Sequence, residues 1–314
     1  MDTLAPERQD GHPTPAEWRA FAAQLLQAAG LGSLGAGLVF FVAANWQAWG
    51  LAGRFGLLEA GLLLCVAAAL RQPPPARVGQ AALLFATLFT GALLALFGQS
   101  YQTGADLYEL FFAWALLALP FAVAASSGPV WAAWWVVLDA GLALLCGTLS
   151  LDHFFWRFLD GWSRDRAVLL MLPCLANLLG AGLFHALGRT RFAPAAPPWL
   201  VHFLLTLGLA CGSAASLPGT SDHGAGAIAL YAAISIGIAV AAWSRRRDIY
   251  PLTALAGSWI VISTAWLGSS MRLDDAGTIF VVTAWLIGSS TASAMLLMRW
   301  LRQWRAPATA GVAP

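Results

Sequence analysis

The sequence has very little charge: 10% of its 314 residues are Asp, Glu, Lys or Arg, whereas 59% are hydrophobic. Soluble domains contain about 25% charged residues, which cover their apolar interiors. The composition therefore excludes an ordinary soluble fold, and lipid is the solvent that accepts such a chain. Lysine is missing, so all 17 basic residues are Arg, and the net charge is only +2. Without a basic stripe carrying interleaved aromatic residues, nucleic acid is not an expected partner.

Signatures of catalysis and of metal binding are also missing. The four cysteines stand singly in apolar runs and form no C-x-x-C pair, so they predict no zinc or redox site. H-E-x-x-H, G-x-S-x-G and P-loop motifs do not occur. Residues 30–35 match G-x-G-x-x-G, but no strand precedes them, and these glycines are better interpreted as a helix-packing face. We therefore assign no catalytic residue, metal or cofactor, and an enzyme is the least favoured class.

The apolar runs predict an all-α fold, a polytopic bundle of about ten transmembrane helices. A spanning helix needs about 20 mostly apolar residues. Ten runs qualify or come close, the second being short: 31–50, 55–70, 78–98, 107–126, 129–149, 167–187, 198–217, 225–243, 250–270 and 277–299.

Arginine placement predicts that both termini are cytoplasmic. With the N-terminus inside, 12 of the 17 arginines lie on the cytoplasmic side, and an even number of spans returns the basic C-terminus to that side. This topology predicts a multi-pass membrane protein. It divides the chain into a cytoplasmic amphipathic segment (1–30), a five-helix half (31–150), an outer interfacial segment (151–166), a second five-helix half (167–300) and a cytoplasmic tail (301–314).

Within the first segment, Thr14, Pro15 and Glu17 have the pattern of a helix start. Thr14 suits the cap position, Pro15 the first helical position and Glu17 the third. Apolar residues then recur at helical spacing, which predicts an amphipathic helix on the membrane or on the protein's inner face.

The densest polar stretch of the hydrophobic body is the hinge from Gly98 to Asp106. Under the arginine topology it lies outside, level with the ends of the first four spans. We expect one outward-facing polar pocket there, lined by Asn45, Trp46, Glu59, Gln99, Tyr101, Gln102, Asp106 and Glu109. Acidic residues in the lining favour a small polar or cationic ligand. Helix capping by Asp106 and Glu109, and interfacial anchoring by Trp46, explain the same residues without a ligand.

Asp139 is the one carboxylate near the middle of a predicted span. Burying a charge there costs about 2.5–3.5 kcal/mol on insertion scales, and no Arg lies within a span to neutralise it. Asp139 is therefore either protonated or faces a water-filled cavity, and Asn177 is a possible hydrogen-bond partner. A functional ionisable group is favoured over a purely structural hydrogen bond between helices.

Two blocks in order resemble a known family: F-V-A-A-N-W (Phe41 to Trp46) and the stretch GQSYQTGADLYELFFAWALLALP (Gly98 to Pro120). They resemble the DUF2157 family of bacterial predicted membrane proteins, over roughly residues 15–150. The resemblance implies a bacterial inner-membrane protein and marks the polar residues of both blocks as motif positions. It implies no chemistry.

Two functions compete on these observations. One is a small-molecule carrier or sensor that uses the outer pocket and Asp139. The other is a non-catalytic membrane component that assembles with a membrane-protein partner through its glycine-rich faces. The lipid bilayer is an expected partner in both.

Overall fold

The structure, a computed structural model, describes residues 14–73, 76–101, 104, 106–146, 169, 171–190, 196–217, 225–243, 248–271 and 276–305. These residues form helices and contain no strand. In the described part of the chain, a short 3-10 helix, Trp46–Ala48, accompanies ten α-helices: α1 Pro15–Asn45, α2 Leu51–Leu70, α3 Arg77–Tyr101, α4 Leu107–Ala125, α5 Gly128–Leu145, α6 Met171–Leu187, α7 Pro198–Ser216, α8 Ala225–Ala241, α9 Ile249–Ser270 and α10 Ala276–Arg305.

Residues 1–57 and 58–314 form two compact units. In the first unit, α1 begins at the predicted capping box. The Glu17 N–H donates to Thr14 Oγ1 at 3.3 Å, and the Thr14 N–H donates to Glu17 Oε2 at 2.7 Å. The helix then continues without a break through residues 30 and 31, where an amphipathic segment was expected to give way to a span. Glycine weakens a helix by only about 1 kcal/mol, so Gly30 does not have to end it.

Arg54 holds the connection between α1 and α2. Its Nε donates to the backbone oxygens of Trp46 (2.9 Å) and Trp49 (3.0 Å). Its guanidinium also lies over the Trp46 ring, 5.3 Å from the centroid, in a cation–π arrangement. Trp46 is thus fixed from within its own unit.

In the second unit, α3, α4 and α5 pack together through small residues. Ala86, Ala118 and Ala122 are fully buried, which allows the backbones to approach closely. Trp114 lies against Gly91, and its Nε1 donates across to the Thr87 carbonyl at 2.7 Å. Such bonds satisfy polar groups that have no access to water.

The remaining helices pack around α7, which contacts α6, α8 and α9, while α10 packs on α9. Gly212 of α7 lies against the ring of Tyr231, a fully buried residue of α8. On α10, the Trp285 Nε1 donates to the Ser263 Oγ of α9 at 3.1 Å. Packing against a central helix gives this half its core.

Seven of the described helices are long and apolar enough to cross a membrane: α2, α3, α4, α5, α7, α9 and α10. Helices α6 and α8 are apolar but shorter. Large apolar side chains such as Phe40, Leu116 and Phe280 are at least 70% exposed, which suits contact with lipid. The protein is therefore a membrane protein with several spanning helices. The ten-span count and the cytoplasmic termini stay predictions, and the segment 151–166 lies outside the described residues.

Candidate functional site

Asp139 and Asn177 form a polar pair between α5 and α6. The Asn177 Nδ2 donates to Asp139 Oδ1 at 2.7 Å and to the Pro173 carbonyl at 2.9 Å. Asn177 is fully buried, and Asp139 is partly buried. Because two acceptors surround Nδ2, they determine which way the amide points. The hydrogen-bond partner expected from the sequence is the one that the structure contains.

The pair leaves two oxygens unused. Asp139 Oδ2 and Asn177 Oδ1 are buried, and neither has a hydrogen-bond partner in the described part of the chain. The Trp135 Nε1, one helical turn from Asp139 on the same face of α5, is likewise buried without such a partner. Buried polar atoms are nearly always hydrogen-bonded, so an unfilled group of this kind indicates a place for a further atom.

A proton, a water molecule or a small cation would satisfy these oxygens. Protonation of Asp139 would remove the charge, whereas a cation would take oxygen atoms such as these as ligands. No group of three His, Cys, Asp or Glu side chains with metal-binding geometry occurs among the residues that the structure describes. With one carboxylate oxygen and one amide oxygen unused, the pair offers two acceptor atoms.

The polar residues predicted at the outer helix ends have accessible side chains. Glu59 on α2, Gln99 and Tyr101 near the end of α3, and Asp106 and Glu109 at the start of α4 are all exposed. The Tyr101 ring packs on Phe97 of its own helix, with centroids 4.8 Å apart. Asn45 ends α1, Trp46 follows it, and Gln102 lies outside the described residues.

Asp106 occupies the cap position of α4, but its side chain makes no capping hydrogen bond. The local bond there runs between backbone atoms, from the Glu109 N–H to the Asp106 carbonyl at 3.0 Å. Capping thus does not account for the Asp106 carboxylate. Gly104 has a φ of +70°, a conformation that glycine adopts without strain, so it permits the sharp turn expected in this hinge.

Residues 4–131 match the family model described as predicted membrane protein (DUF2157). This part of the chain is therefore similar to that family. No curated protein and no solved structure matched. The DUF2157 part contains all the outer polar candidates and ends before Asp139, so the α5–α6 pair lies beyond it.

A buried hydroxyl cluster was not predicted from the sequence. The Ser213 and Ser258 hydroxyls lie 2.6 Å apart, and the Tyr231 hydroxyl bonds both Ser258 and the Leu209 carbonyl. Single Ser and Tyr residues in apolar runs were the available signal. They were uninformative in the sequence because Ser in a membrane helix usually bonds its own backbone, and here Ser213 does so as well, to Leu209 at 2.7 Å.

Proposed function

We propose that this membrane protein is a carrier or sensor for a small polar or cationic ligand, with Asp139 as the group that responds to it. The observation that carries the proposal is the Asp139–Asn177 pair, whose Oδ2 and Oδ1 atoms are buried without a partner in the described residues. A membrane helix retains such a costly carboxylate when it takes part in function. A proton or a ligand cation at Asp139 Oδ2 would remove that cost. The free-energy difference between the occupied and the empty state would then couple binding to the packing of the helices.

The second element of the proposal is ligand entry at the outer ends of the first four helices. Glu59, Gln99, Tyr101, Asp106 and Glu109 are exposed, so their side chains are available to a ligand. Three of these five are acidic, which favours cationic or hydroxyl-rich molecules over anions. The assignment of Asn45, Trp46 and Gln102 to this pocket stays a prediction from the sequence, and we propose that the protein resides in the bacterial inner membrane with ten spans and both termini in the cytoplasm.

Thermal unfolding in the presence of polyamines, amino acids and sugars tests the role of Asp139. We expect at least one compound to raise the Tm of the purified full chain. Asp139→Asn should abolish that shift, because it preserves the shape and removes the charge. Asp10→Asn, which makes the same charge change in the polar N-terminal stretch, should retain it. An equal shift in Asp139→Asn would contradict the proposal.

The outer pocket needs its own test. Gln99→Ala and Glu109→Gln should weaken binding of the compound identified in that screen while leaving the Tm without ligand near the wild-type value. Both residues are exposed, so their replacement removes little packing. If both variants instead lose their fold, the residues act in helix capping and stability, and the pocket proposal fails.

A second function, assembly with a membrane-protein partner, is favoured by α10. No residue in the most apolar window of this helix is buried. Such a face suits either lipid or another membrane helix. Crosslinking of intact membranes through cysteines placed along α10 distinguishes the two, since a protein partner would give one discrete adduct and lipid would give none.

A further inference from the structure

A cavity of about 740 Å³ lies among α6, α7, α8 and α9, and its lining includes none of the residues of the proposed function. Its walls are mostly apolar and include Leu178, Phe184, Leu205 and Ile238. The polar lining residues come from one end of these helices: His185, Arg189, His202 and Asp248. The cavity therefore has an apolar body and a polar mouth, which is the pattern of an amphipathic ligand.

The acidic side of the mouth is already occupied. Asp248 Oδ1 accepts the Tyr250 N–H at 3.0 Å, and Asp248 Oδ2 lies 3.6 Å from His202 Nε2. The His202 ring stacks on the Tyr250 ring, with centroids 4.0 Å apart, and the Tyr250 hydroxyl lies 2.6 Å from Thr206 Oγ1. The Asp248 carboxylate is thus engaged by neighbours on both oxygens, so it is poorly suited to recruit a cation.

Arg189 supplies the positive charge of the mouth. It lies in the turn after α6, where the Arg189 N–H bonds the Ala186 carbonyl at 3.1 Å and the Gly188 N–H bonds Phe184 at 2.8 Å. Its side chain is exposed and forms no ion pair within the described part of the chain. A fixed backbone with a free guanidinium is suited to a phosphate or a carboxylate.

The depth of the cavity matches one leaflet of a bilayer. Along α6 the lining begins at Leu178, and Arg189 lies in the turn just after the helix ends at Leu187. At 1.5 Å per residue, the nine helical steps from Leu178 to Leu187 span about 14 Å, and Arg189 lies at the end of this length. The hydrocarbon core is about 30 Å thick, so its half is about 15 Å. A molecule with its headgroup at Arg189 would extend its apolar chain to about the bilayer midplane.

We propose that this cavity binds one acyl chain of an anionic amphiphile, with the phosphate or carboxylate headgroup at Arg189. Charge complementarity at the mouth and the leaflet depth of the apolar walls carry this assignment. Such an occupant would keep the apolar walls of the cavity from facing an empty space, which a packed helical body does not tolerate well.

Gly182 offers a direct way to block the cavity. It lines the cavity, and a Cβ added there meets no atom within 4 Å. Gly182→Leu should therefore place its side chain in the free space without displacing a helix. Gly257 on α9 is the matched control, because it is exposed, meets no atom within 4 Å and does not line this cavity. Both changes replace a helical glycine with the same residue.

Native mass spectrometry of the purified, delipidated full chain measures binding. The probes are phosphatidylglycerol, phosphatidylcholine and palmitate, each added separately. We expect wild type and Gly257→Leu to retain one phosphatidylglycerol, and Gly182→Leu to bind it about tenfold more weakly. Arg189→Gln, an exposed change that leaves the fold intact, should reduce phosphatidylglycerol binding to the level of phosphatidylcholine.

The outcomes distinguish the source of the ligand from the chemistry of its headgroup. Retention of phosphatidylglycerol identifies a membrane phospholipid, and retention of palmitate in its place identifies a free fatty acid. Either result supports the site when Gly182→Leu removes it. Equal binding by Gly182→Leu and Gly257→Leu would overturn the cavity assignment. Equal retention of phosphatidylcholine, unaffected by Arg189→Gln, would overturn the anionic headgroup.

Discussion

Truncating the two members of the α5–α6 pair should have opposite consequences for stability. Asn177→Ala removes the bonds to Asp139 (2.7 Å) and Pro173 (2.9 Å), leaving the carboxylate without a donor in the described residues. The interhelical bond contributes up to about 1.7 kcal/mol, and leaving the buried carboxylate without its donor adds a penalty of about 1–3 kcal/mol. We expect the free energy of unfolding to fall by about 2–4 kcal/mol.

Asp139→Ala removes the costly group itself. Asn177 then keeps its bond to the Pro173 carbonyl, so its amide stays anchored. The lost interhelical bond contributes up to about 1.7 kcal/mol, whereas a carboxylate within a span costs about 2.5–3.5 kcal/mol. The cost of keeping the carboxylate within the span is therefore larger than the contribution of the lost bond. We therefore expect Asp139→Ala to leave stability unchanged or to raise it by about 1–2 kcal/mol.

A double-mutant cycle on the full chain measures this coupling. Unfolding in mixed micelles can be followed by intrinsic fluorescence, for which the chain has 16 Trp residues. The double variant should be more stable than Asn177→Ala alone, with a coupling of at least about 1 kcal/mol. If both single variants destabilise equally and the coupling is zero, the amide does not hold the carboxylate and the reasoning is refuted.

Three further predictions concern packing, capping and topology. Gly212→Ala should destabilise by about 1–3 kcal/mol, because the new Cβ would overlap the Tyr231 ring, whereas Gly257→Ala should be neutral or stabilising. Thermal unfolding compares the two variants, and equal Tm values would contradict the close packing of Gly212 against Tyr231. Thr14→Ala should cost about 1 kcal/mol at the start of α1, measured as faster hydrogen exchange confined to its first turn. A reporter fused after Gly219 should be periplasmic and one at the C-terminus cytoplasmic, and a periplasmic C-terminus would refute the ten-span topology.

Local features of the sequence were sufficient to predict most helix boundaries. The Thr14–Glu17 capping box at the start of α1 follows from residues within one turn of each other, whereas the first apolar run, 31–50, extends past the end of α1 at Asn45. Apolar runs also predicted the class, because a chain with so little charge has no other solvent available. The DUF2157 resemblance, which was predicted from two short blocks of sequence, was confirmed over residues 4–131. At Gly30, where the amphipathic segment was expected to end and a separate span to begin, α1 instead continues without a break.

Contacts between distant segments could not be predicted in this way. Asp139 and Asn177 are 38 residues apart in the sequence, where they were only a possible pair. Helix packing brings the Asn177 amide to 2.7 Å from the carboxylate and leaves one oxygen of each side chain without a partner in the described residues. The lipid-sized cavity depends on the arrangement of four helices, and the Tyr231 cluster on a glycine that lets a ring approach α7. Hydrophobicity alone was sufficient to predict that the helices are embedded in lipid, because membrane insertion depends on amino-acid composition. Which polar atoms meet depends on the relative rotation of the helices, which only side-chain packing decides.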